Sequence, residues 1–340
     1  MSHTKPDDAD TRSGRDASSL PPRAPRPSGG GVTGHLTWRQ RLSRWDARWA
    51  PYLYVSPFFI VFAIVGLFPL VYTAYVSVHD WGLLSGKGEF VGLDNYREVW
   101  DNPYFLKQTV NTLSIFVLSS GPQIVISVVL AALLDTQLRA RTWWRMGILL
   151  PFVVSPVAVA IIFGSLFGDR YGVINHGLDL IGLDPVAWHT DRFASHLAIA
   201  TMVNWRWTGF NALIFLAAMQ AVPRDLYESA SLDGASKVRQ FLSVTLPMIR
   251  PTMIFVVITS TIGGLQIFAE PRLFDQTNAR NGGPDRQFGT ITMLVYDFGW
   301  QLRDLGRASA TAWMLFLMIL VLAVVNLVLV RRIGSLGGDR

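Results

Sequence analysis

The chain has 340 residues, of which 50% are hydrophobic and 16% charged, with a formal net charge of +6 and no cysteine. Soluble globular domains carry about 25% charged residues, so this composition excludes an ordinary soluble protein. The 29 glycines follow no period, which excludes a collagen-like chain, and the lack of cysteine excludes disulfide frameworks and thiolate-ligated metals. We therefore predict an integral membrane protein.

The N-terminal region precedes the predicted membrane domain. Residues 1–35 are rich in Pro, Gly, Ser and charged residues, a composition that predicts a disordered cytoplasmic tail. Residues 36–50 interleave Trp with Arg, which predicts a basic amphipathic lead-in on the membrane surface. Residues 1–50 together form the first predicted region, whose tail has no function that the sequence requires.

Six apolar stretches predict six transmembrane helices. A bilayer core needs about 20 apolar residues in a helix, and its lack of water leaves open strands without hydrogen-bond partners. Five of the stretches contain no charged residue, and the fourth contains only Arg206. The fold class is therefore an all-α polytopic membrane protein, with its six helices within residues 51–334. The stretches are 49–79, 108–134, 146–168, 193–223, 251–269 and 308–330.

The charges in the connections predict the orientation. With a cytoplasmic N-terminus, the inside connections carry more Lys and Arg than Asp and Glu, whereas the outside loops carry the reverse. Both termini are therefore predicted to be cytoplasmic. The basic net charge is accounted for by this topology, and we expect no nucleic-acid partner.

The predicted spans contain no carboxylate in their interiors, which argues against an ion-coupled carrier. Residues 82–88 superficially resemble a phosphate-binding loop, but the glycine spacing is one residue short. Gly88 also stands where such a loop requires Ser or Thr. The chain is therefore predicted to hold no ATP site, and any energy for transport comes from elsewhere.

The connection between the fourth and fifth spans is predicted to be a helix–turn–helix exposed to the cytosol. Glu228 follows Asp225 by three residues near a predicted helix start, which is the spacing of a capping box. Gly234 divides the segment into two short helices, and Pro247 closes it. A plain connector is the alternative interpretation.

This connection resembles the EAA loop of ABC importer permeases, in the sugar-importer form P-x-x-L-Y-E-A-A-x-x-D-G-A. Ser229 stands where the family has Ala. The resemblance covers about residues 50–330, and residues 262–271 are similar to members associated with cellobiose and other β-glucosides. The residues of the loop that fit the pattern are Tyr227, Glu228, Ala230, Asp233, Gly234, Ala235, Phe241, Leu246 and Pro247.

The resemblance implies the type I ABC importer permease fold and a non-catalytic translocation subunit in a bacterial cell membrane. It implies a second homologous permease as heterodimer partner, two ATP-binding cassette subunits and an extracytoplasmic sugar-binding protein, besides membrane lipid. The loop at 222–250 would contact the ATPase, which binds ATP and Mg, so this chain would have no cofactor of its own.

The solute implied by the resemblance is a di- or oligosaccharide, with cellobiose or a related β-glucoside as the specific prediction. Two alternatives stay open. One is a permease for another solute, such as glycerol phosphate or a polyol. The other is a non-transporting membrane scaffold or sensor that docks an ATPase.

Candidate sugar-path residues lie in the fourth and fifth spans, where aromatic faces and polar groups can contact a sugar. An Arg in mid-membrane costs at least ~2.5–3.5 kcal/mol, so it should face the pore or a partner. The alternatives are a structural pairing of Arg206 with a sister chain or a backbone carbonyl, and a small-residue helix contact through Ser260 and Gly264. The candidates are Arg206, Trp207, Phe210, Ser260, Gly264, Gln266 and Ile267.

Three charged residues, Glu270, Arg272 and Asp275, lie at the outer end of the fifth predicted span. They could touch a binding protein, but we expect them to be solvated.

Overall fold

The computed structural model describes residues 38–136, 140–275 and 281–335, so the predicted tail at 1–35 lies outside the described residues. The described chain is helical apart from one small hairpin. Its first helices are α1 (Trp38–Phe62), α2 (Phe68–Ser77), α3 (Asp94–Trp100), α4 (Phe105–Asp135), α5 (Arg141–Val153), α6 (Pro156–Leu166), α7 (Val173–Leu180) and α8 (Arg192–Gln220). The later helices are α9 (Arg224–Leu232), α10 (Lys237–Gln240), α11 (Leu246–Met248), α12 (Arg250–Leu265), α13 (Ala269–Leu273), α14 (Ile291–Tyr296) and α15 (Leu305–Ser335).

The chain divides into two compact units, the first ending at Phe62 and the second beginning at Ala63. Helix α1 belongs to the first unit and carries exposed apolar side chains such as Tyr54 and Phe58. Apart from the helical stretch Trp49–Ser77, which runs through the boundary, every structural feature described below belongs to the second unit.

Four helical stretches in the described residues are long and apolar enough to cross a membrane. They agree with the first, second, fifth and sixth predicted spans. These stretches are Trp49–Ser77, Phe105–Asp135, Arg250–Leu273 and Leu305–Val328.

The third predicted span is a bent pair of helices. Residues 142–153 and 156–166 meet at an angle of 89°, as a broken span or a re-entrant loop would. The bend lies just before Pro156, whose ring disfavours helical backbone in the preceding residue. Counting the pair as one span brings the total to five in the described residues, so the predicted number of six is not confirmed.

The fourth predicted span, α8, is 29 residues long and therefore measures about 43 Å. It is not among the stretches apolar enough to qualify, because polar residues such as His196, Asn204 and Asn211 interrupt it. Helix α8 packs along α4 and against α5, and His196 and Asn211 are buried. A helix surrounded by protein needs no continuous apolar surface, and hydropathy therefore fails to mark it.

The loop after α2 forms a hairpin of β1 (His79–Gly82) and β2 (Gly86–Phe90), paired antiparallel with Gly82 opposite Gly86. The segment that superficially resembled a phosphate loop is thus the turn of this hairpin. Behind it, buried Asn95 donates to the carbonyl oxygens of Ser77 and His79, both at 2.9 Å. These bonds tie α3 to the end of α2.

Two glycines, one on α8 and one on α12, allow neighbouring helices to pack closely. A Cβ at Gly209 on α8 would lie 1.6 Å from the carbonyl oxygen of Ile148 on α5. On α12, a Cβ at Gly264 would lie 2.8 Å from a ring carbon of Phe116. Both glycines therefore permit crossings that any larger residue would separate.

Candidate functional site

The segment 224–247 is a helix–turn–helix, as predicted. Helix α9 ends in a Schellman motif, in which Gly234 adopts a φ of +75°. Its amide donates to the carbonyl of Ser231 at 3.0 Å, and the amide of Ala235 donates to the carbonyl of Ala230 at 2.9 Å. This conformation suits glycine, so the predicted division at Gly234 is confirmed.

The predicted capping box is wrong. The residue at the N-cap of α9 is Pro223, and no side chain caps the helix. Asp225 lies in the first turn, where a negative charge is stabilised by the helix dipole without a specific bond. A box with Asp225 in the cap position would require the helix to begin two residues later than it does.

Two side-chain contacts make the segment 224–247 rigid. The amide nitrogen of buried Gln240 donates to the hydroxyl of Ser231 and to the carbonyl of Ala235, both at 2.9 Å. The hydroxyls of Tyr227 and Thr245 lie 2.9 Å apart. These hydrogen bonds connect α9 to α10 and to Thr245, which lies between α10 and α11.

The predicted docking residues mostly face solvent. Glu228, Ser229, Asp233, Gly234 and Pro247 are exposed, whereas Tyr227, Ala230, Ala235 and Leu246 are half-buried. Apolar side chains are exposed beside them, with Leu232 90% and Val238 70% accessible. An exposed segment with apolar side chains and three carboxylates, those of Asp225, Glu228 and Asp233, is suited to bind another protein surface.

Arg206 of the candidate sugar path is paired within the chain. Its Nη1 donates to Oε1 of Glu270 on α13 at 2.9 Å, and both side chains are buried. The sequence analysis left open a structural pairing with a sister chain or a backbone carbonyl, whereas the partner in the structure is this carboxylate. The Nε of Arg206 is buried and has no hydrogen-bond partner among the described residues.

Trp207 and Phe210 pack into an aromatic cluster with Phe152 of α5. The rings of Phe152 and Phe210 are stacked with centroids 4.4 Å apart, and Trp207 meets Phe152 edge-on at 5.1 Å. The two sugar-path aromatics are thus half-buried against a neighbouring helix. Phe152 is a member of this cluster that the sequence analysis missed, because only the crossing of α5 and α8 brings it there.

Ser260 and Gly264 lie at helix contacts. The side chain of Asn211 on α8 donates to the hydroxyl of Ser260 at 3.4 Å. Gly264 is buried against α4, as its close approach to Phe116 requires. Gly264 therefore makes a small-residue helix contact, which was the alternative to a role in the sugar path.

Gln266 and Ile267 lie in a break between α12 and α13. The carbonyl of Ile267 accepts hydrogen bonds from the hydroxyls of Thr290, at 3.3 Å, and Thr292. Gln266 is exposed and lines an open pocket of about 310 Å³. The other residues of this pocket are Thr292, Val295, Ala312, Leu315, Phe316 and Ile319. Thr292 is a polar pocket residue that the sequence analysis did not identify, because its hydroxyl reaches the break only through the fold.

The expectation that the outer charges are solvated is wrong. Glu270 is 4% and Asp275 7% exposed. Arg272 is half-buried with its guanidinium 4.9 Å from the ring centre of Tyr296. The charges could be placed at the outer end of the span from sequence, but their burial follows from the packing of α13 against α6 and α8.

Known proteins place this architecture in a family. Residues 123–335 match the binding-protein-dependent transport system inner membrane component family. The lactose transport system permease protein LacF of Rhizobium radiobacter is 33% identical over 80% of this chain and 91% of that protein. The sn-glycerol-3-phosphate transport system permease protein UgpA of Pectobacterium atrosepticum is 32% identical over 84% of this chain and 95% of that protein.

A solved structure shows the same fold. A crystal structure of a bacterial alginate ABC transporter, in complex with an alginate pentasaccharide-bound periplasmic protein, contains a chain that superposes with a TM-score of 0.71. The alignment covers 86% of this chain and 98% of that chain at 24% identity. The predicted ABC importer permease fold is therefore confirmed, apart from the number of spans.

The family match and the identity to curated permeases extend over most of the helical region described above. Members of the family are membrane components of transport systems that depend on a binding protein. The chain therefore belongs to the family of binding-protein-dependent transport system inner membrane components, as a non-catalytic permease subunit of an ABC importer.

Proposed function

We propose that this chain is one half of the pore of an ATP-driven importer for a di- or oligosaccharide, with cellobiose or a related β-glucoside as the specific solute. The observation that carries the proposal is the rigid, exposed segment 224–247 in a chain that is 33% identical to a lactose permease. The second half of the pore is a homologous permease, and an extracytoplasmic sugar-binding protein delivers the solute.

The segment 224–247, within the loop 222–250, docks on one of two cytosolic ATP-binding cassette subunits, which bind ATP and Mg. The exposed carboxylate of Glu228 meets a cationic group of the ATPase, and Leu232 and Val238 provide apolar contact area. Because hydrogen bonds of Gln240 and Tyr227 hold the parts of the segment together, closure of the ATPase moves the segment as one unit and the permease with it. Coupling of this kind is reciprocal between sugar delivery and ATP binding.

The sugar path runs past the break between α12 and α13. Gln266 offers an exposed amide, Thr292 a hydroxyl oxygen, and Phe316 an apolar face in the same pocket. The path also passes α8, where it is lined by Trp207 and Phe210, and by Ser260 of α12. Gly264 shapes the path because it lets α12 approach α4 closely, and Ile267 shapes it through the backbone of the break.

The proposed topology is a multi-pass bacterial inner-membrane domain at 51–334 with both termini cytoplasmic. In it α8 serves as a sixth span surrounded by protein. The segment 224–247 then faces the cytosol, and the hairpin β1–β2 faces the outside.

Sugar-stimulated ATP hydrolysis tests the proposal. The chain is reconstituted in lipid with its neighbouring permease, ATPase and binding protein. Cellobiose, cellotriose, maltose, trehalose, lactose and glycerol phosphate are then compared. We expect one β-linked sugar to stimulate hydrolysis and Glu228→Ala to abolish the stimulation. Asp225→Ala is the matched control, because it removes an exposed carboxylate from the same helix at a position outside the docking pattern.

The outcomes separate the alternatives. Stimulation by an α-linked sugar would retain the importer and exclude the β-glucoside. Stimulation by glycerol phosphate alone would favour the second solute class, which the similarity to UgpA supports. No stimulation by any solute in an intact complex would favour the membrane scaffold or sensor that docks an ATPase.

A further inference from the structure

The helical stretch at residues 250–273 is interrupted in its outer third. Helix α12 ends at Leu265, and α13 begins at Ala269 after Phe268, whose φ of −135° and ψ of −52° are not helical. Backbone that leaves a helix at membrane depth must find its hydrogen-bond partners elsewhere in the protein. The break is thus stable only where neighbouring elements hold it.

One anchor of the break lies on the side of α14. The hydroxyls of Thr290 and Thr292 both donate to the carbonyl of Ile267, which sits at the centre of the break. Thr292 also lines the open pocket that contains Gln266. The backbone of the break and the wall of the pocket are therefore connected directly.

The other anchor lies on the side of α8. Glu270 follows Phe268 by two residues, and its Oε1 is 2.9 Å from Nη1 of Arg206. The two side chains are 4% and 8% exposed, so this pair is shielded from water. A buried charge without its partner is poorly tolerated, and the two residues therefore constrain one another.

Gln266 immediately precedes the two anchors in the chain. The carbonyl of the residue after it is held by α14, and the carboxylate four residues after it is held by α8. The amide of Gln266 is exposed and is the candidate in this break best suited to bind a sugar hydroxyl. Its position depends on where the break is fixed.

We infer that Arg206 and Glu270 are positioning residues for the sugar path, whose ion pair holds the break so that Gln266 and Thr292 present their polar groups together to a sugar hydroxyl. The inference rests on the proposed function. It assigns Arg206 no contact with the sugar, since its guanidinium acts through Glu270 on the backbone of the break.

A variant pair separates positioning from a merely structural role. Replacing a buried ion pair by apolar residues often leaves the fold intact, whereas removing one charge leaves the other uncompensated. We therefore combine Arg206→Met with Glu270→Leu in the reconstituted complex. The control combines Arg286→Met with Asp297→Leu, which removes a second ion pair, 3.0 Å apart, with side chains 22% and 6% exposed.

Sugar import and ATP hydrolysis are measured together in proteoliposomes, with binding protein loaded with the sugar that stimulates the wild-type complex. We expect the Arg206/Glu270 double variant to hydrolyse ATP within twofold of wild type but to import at least fivefold less sugar per ATP. A structural role would lower both rates together. The control double variant should keep the wild-type ratio of sugar to ATP.

Gln266→Leu tests whether the ion pair acts through this amide. Alone, it should reduce the ratio of sugar to ATP as the Arg206/Glu270 double variant does. Added to that double variant, it should have no further effect, because residues that act through one another are not additive. A further loss of fivefold or more in the triple variant would overturn the inference.

A labelling measurement that uses no sugar tests the inference independently of the proposed function. The chain has no cysteine, so Gln266→Cys introduces one reactive thiol into it. In a complex whose other subunits lack cysteine, its labelling rate by a water-soluble methanethiosulfonate should change at least threefold when the Arg206/Glu270 pair is replaced. As a control, Ser309→Cys on α15 should be labelled at the same rate whether or not the Arg206/Glu270 pair is replaced.

Two further results would each overturn the inference. One is an unchanged labelling rate at Gln266→Cys in the double variant. The other is an unchanged ratio of sugar to ATP in a wild-type complex that responds to sugar. If no sugar stimulates the wild-type complex, the proposed function fails by itself, and the labelling experiment still decides whether the ion pair positions the break.

Discussion

Substitution of Gly209 by Ala should separate α5 from α8. A Cβ at this position would lie 1.6 Å from the carbonyl oxygen and 2.6 Å from the carbonyl carbon of Ile148. Carbon–oxygen contacts in folded proteins are about 3.3–3.6 Å, so the two helices would have to move apart locally by about 1.5–2 Å. The obstacle is backbone, which cannot turn aside as a side chain could.

The expected loss of stability follows from two opposing effects. Overpacking typically costs about 1–3 kcal/mol, and a clash with backbone belongs at the upper end of that range. Replacing Gly by Ala inside a helix gains about 1 kcal/mol. The net destabilisation is therefore about 2 kcal/mol, which lowers the melting temperature by about 3 °C at an unfolding entropy of about 2.1 cal/mol/K per residue over 340 residues.

Melting of the assembled complex in lipid nanodiscs, followed by tryptophan fluorescence, measures this change. Gly147→Ala is the matched control on α5, because a Cβ there would meet nothing within 4 Å. That variant should melt at or slightly above the wild-type temperature. If Gly209→Ala melted at the temperature of the control, the close crossing of α5 and α8 would be refuted.

Three further substitutions test other parts of the fold. Gly234→Ala forces a φ of +75° on a residue with a side chain, at about 1–2 kcal/mol, and should speed amide exchange in the segment 224–247 about tenfold. Asn175→Ala removes the acceptor of the Trp188 indole N–H, bonded at 2.9 Å, and should destabilise the loop around α7 by about 1–3 kcal/mol, measured by its amide exchange. Burial raises the pKa of Asp297 more than Arg286 lowers it. Such a carboxyl binds protons more tightly in the folded state, so it costs stability as pH rises from its ordinary pKa of 3.8 to the raised value. The melting temperature of wild type should therefore fall, relative to that of Asp297→Asn, over this pH interval.

Each of these predictions has a result that would contradict it. For Gly234, slower exchange with Asn than with Ala is expected, because Asn tolerates the left-handed conformation, and the reverse order would argue against the turn. For Asn175, exchange in residues 168–190 at the wild-type rate would show that the asparagine does not hold this loop. For Asp297, a melting difference from Asn that stays constant between pH 4 and 7 would exclude a raised pKa.

The helix–turn–helix at 224–247 was predictable because its determinants are local. Glycine at 234 adopts a conformation that other residues avoid, and the apolar and polar residues around it follow one another within a few turns. Only the helix start was misplaced. The spacing of Asp225 and Glu228 satisfies a capping pattern, but Pro223 already suits the first position before the helix, so the chain enters the helix earlier.

The number of spans could be predicted only in part. Stretches whose apolar residues face lipid, such as the one in α4, are recognised by composition alone. Most residues of α8 are buried or half-buried against neighbouring helices, so its composition is set by contacts with protein more than by contact with lipid. The right-angle bend between α5 and α6 could be suspected from Pro156, but its angle depends on how α6 packs against α13.

The sequence by itself determined that the chain is a membrane protein, where most of its spans lie and where its exposed helix–turn–helix is, because hydropathy, charge and turn propensity act over short distances. Only the tertiary structure decided the partners of the charges. Arg206 and Glu270 are 64 positions apart, and the carboxylate that was expected in water is buried against α8. The physical reason is that a charge inside a membrane protein is compensated wherever the fold brings its partner, and no local pattern records that contact.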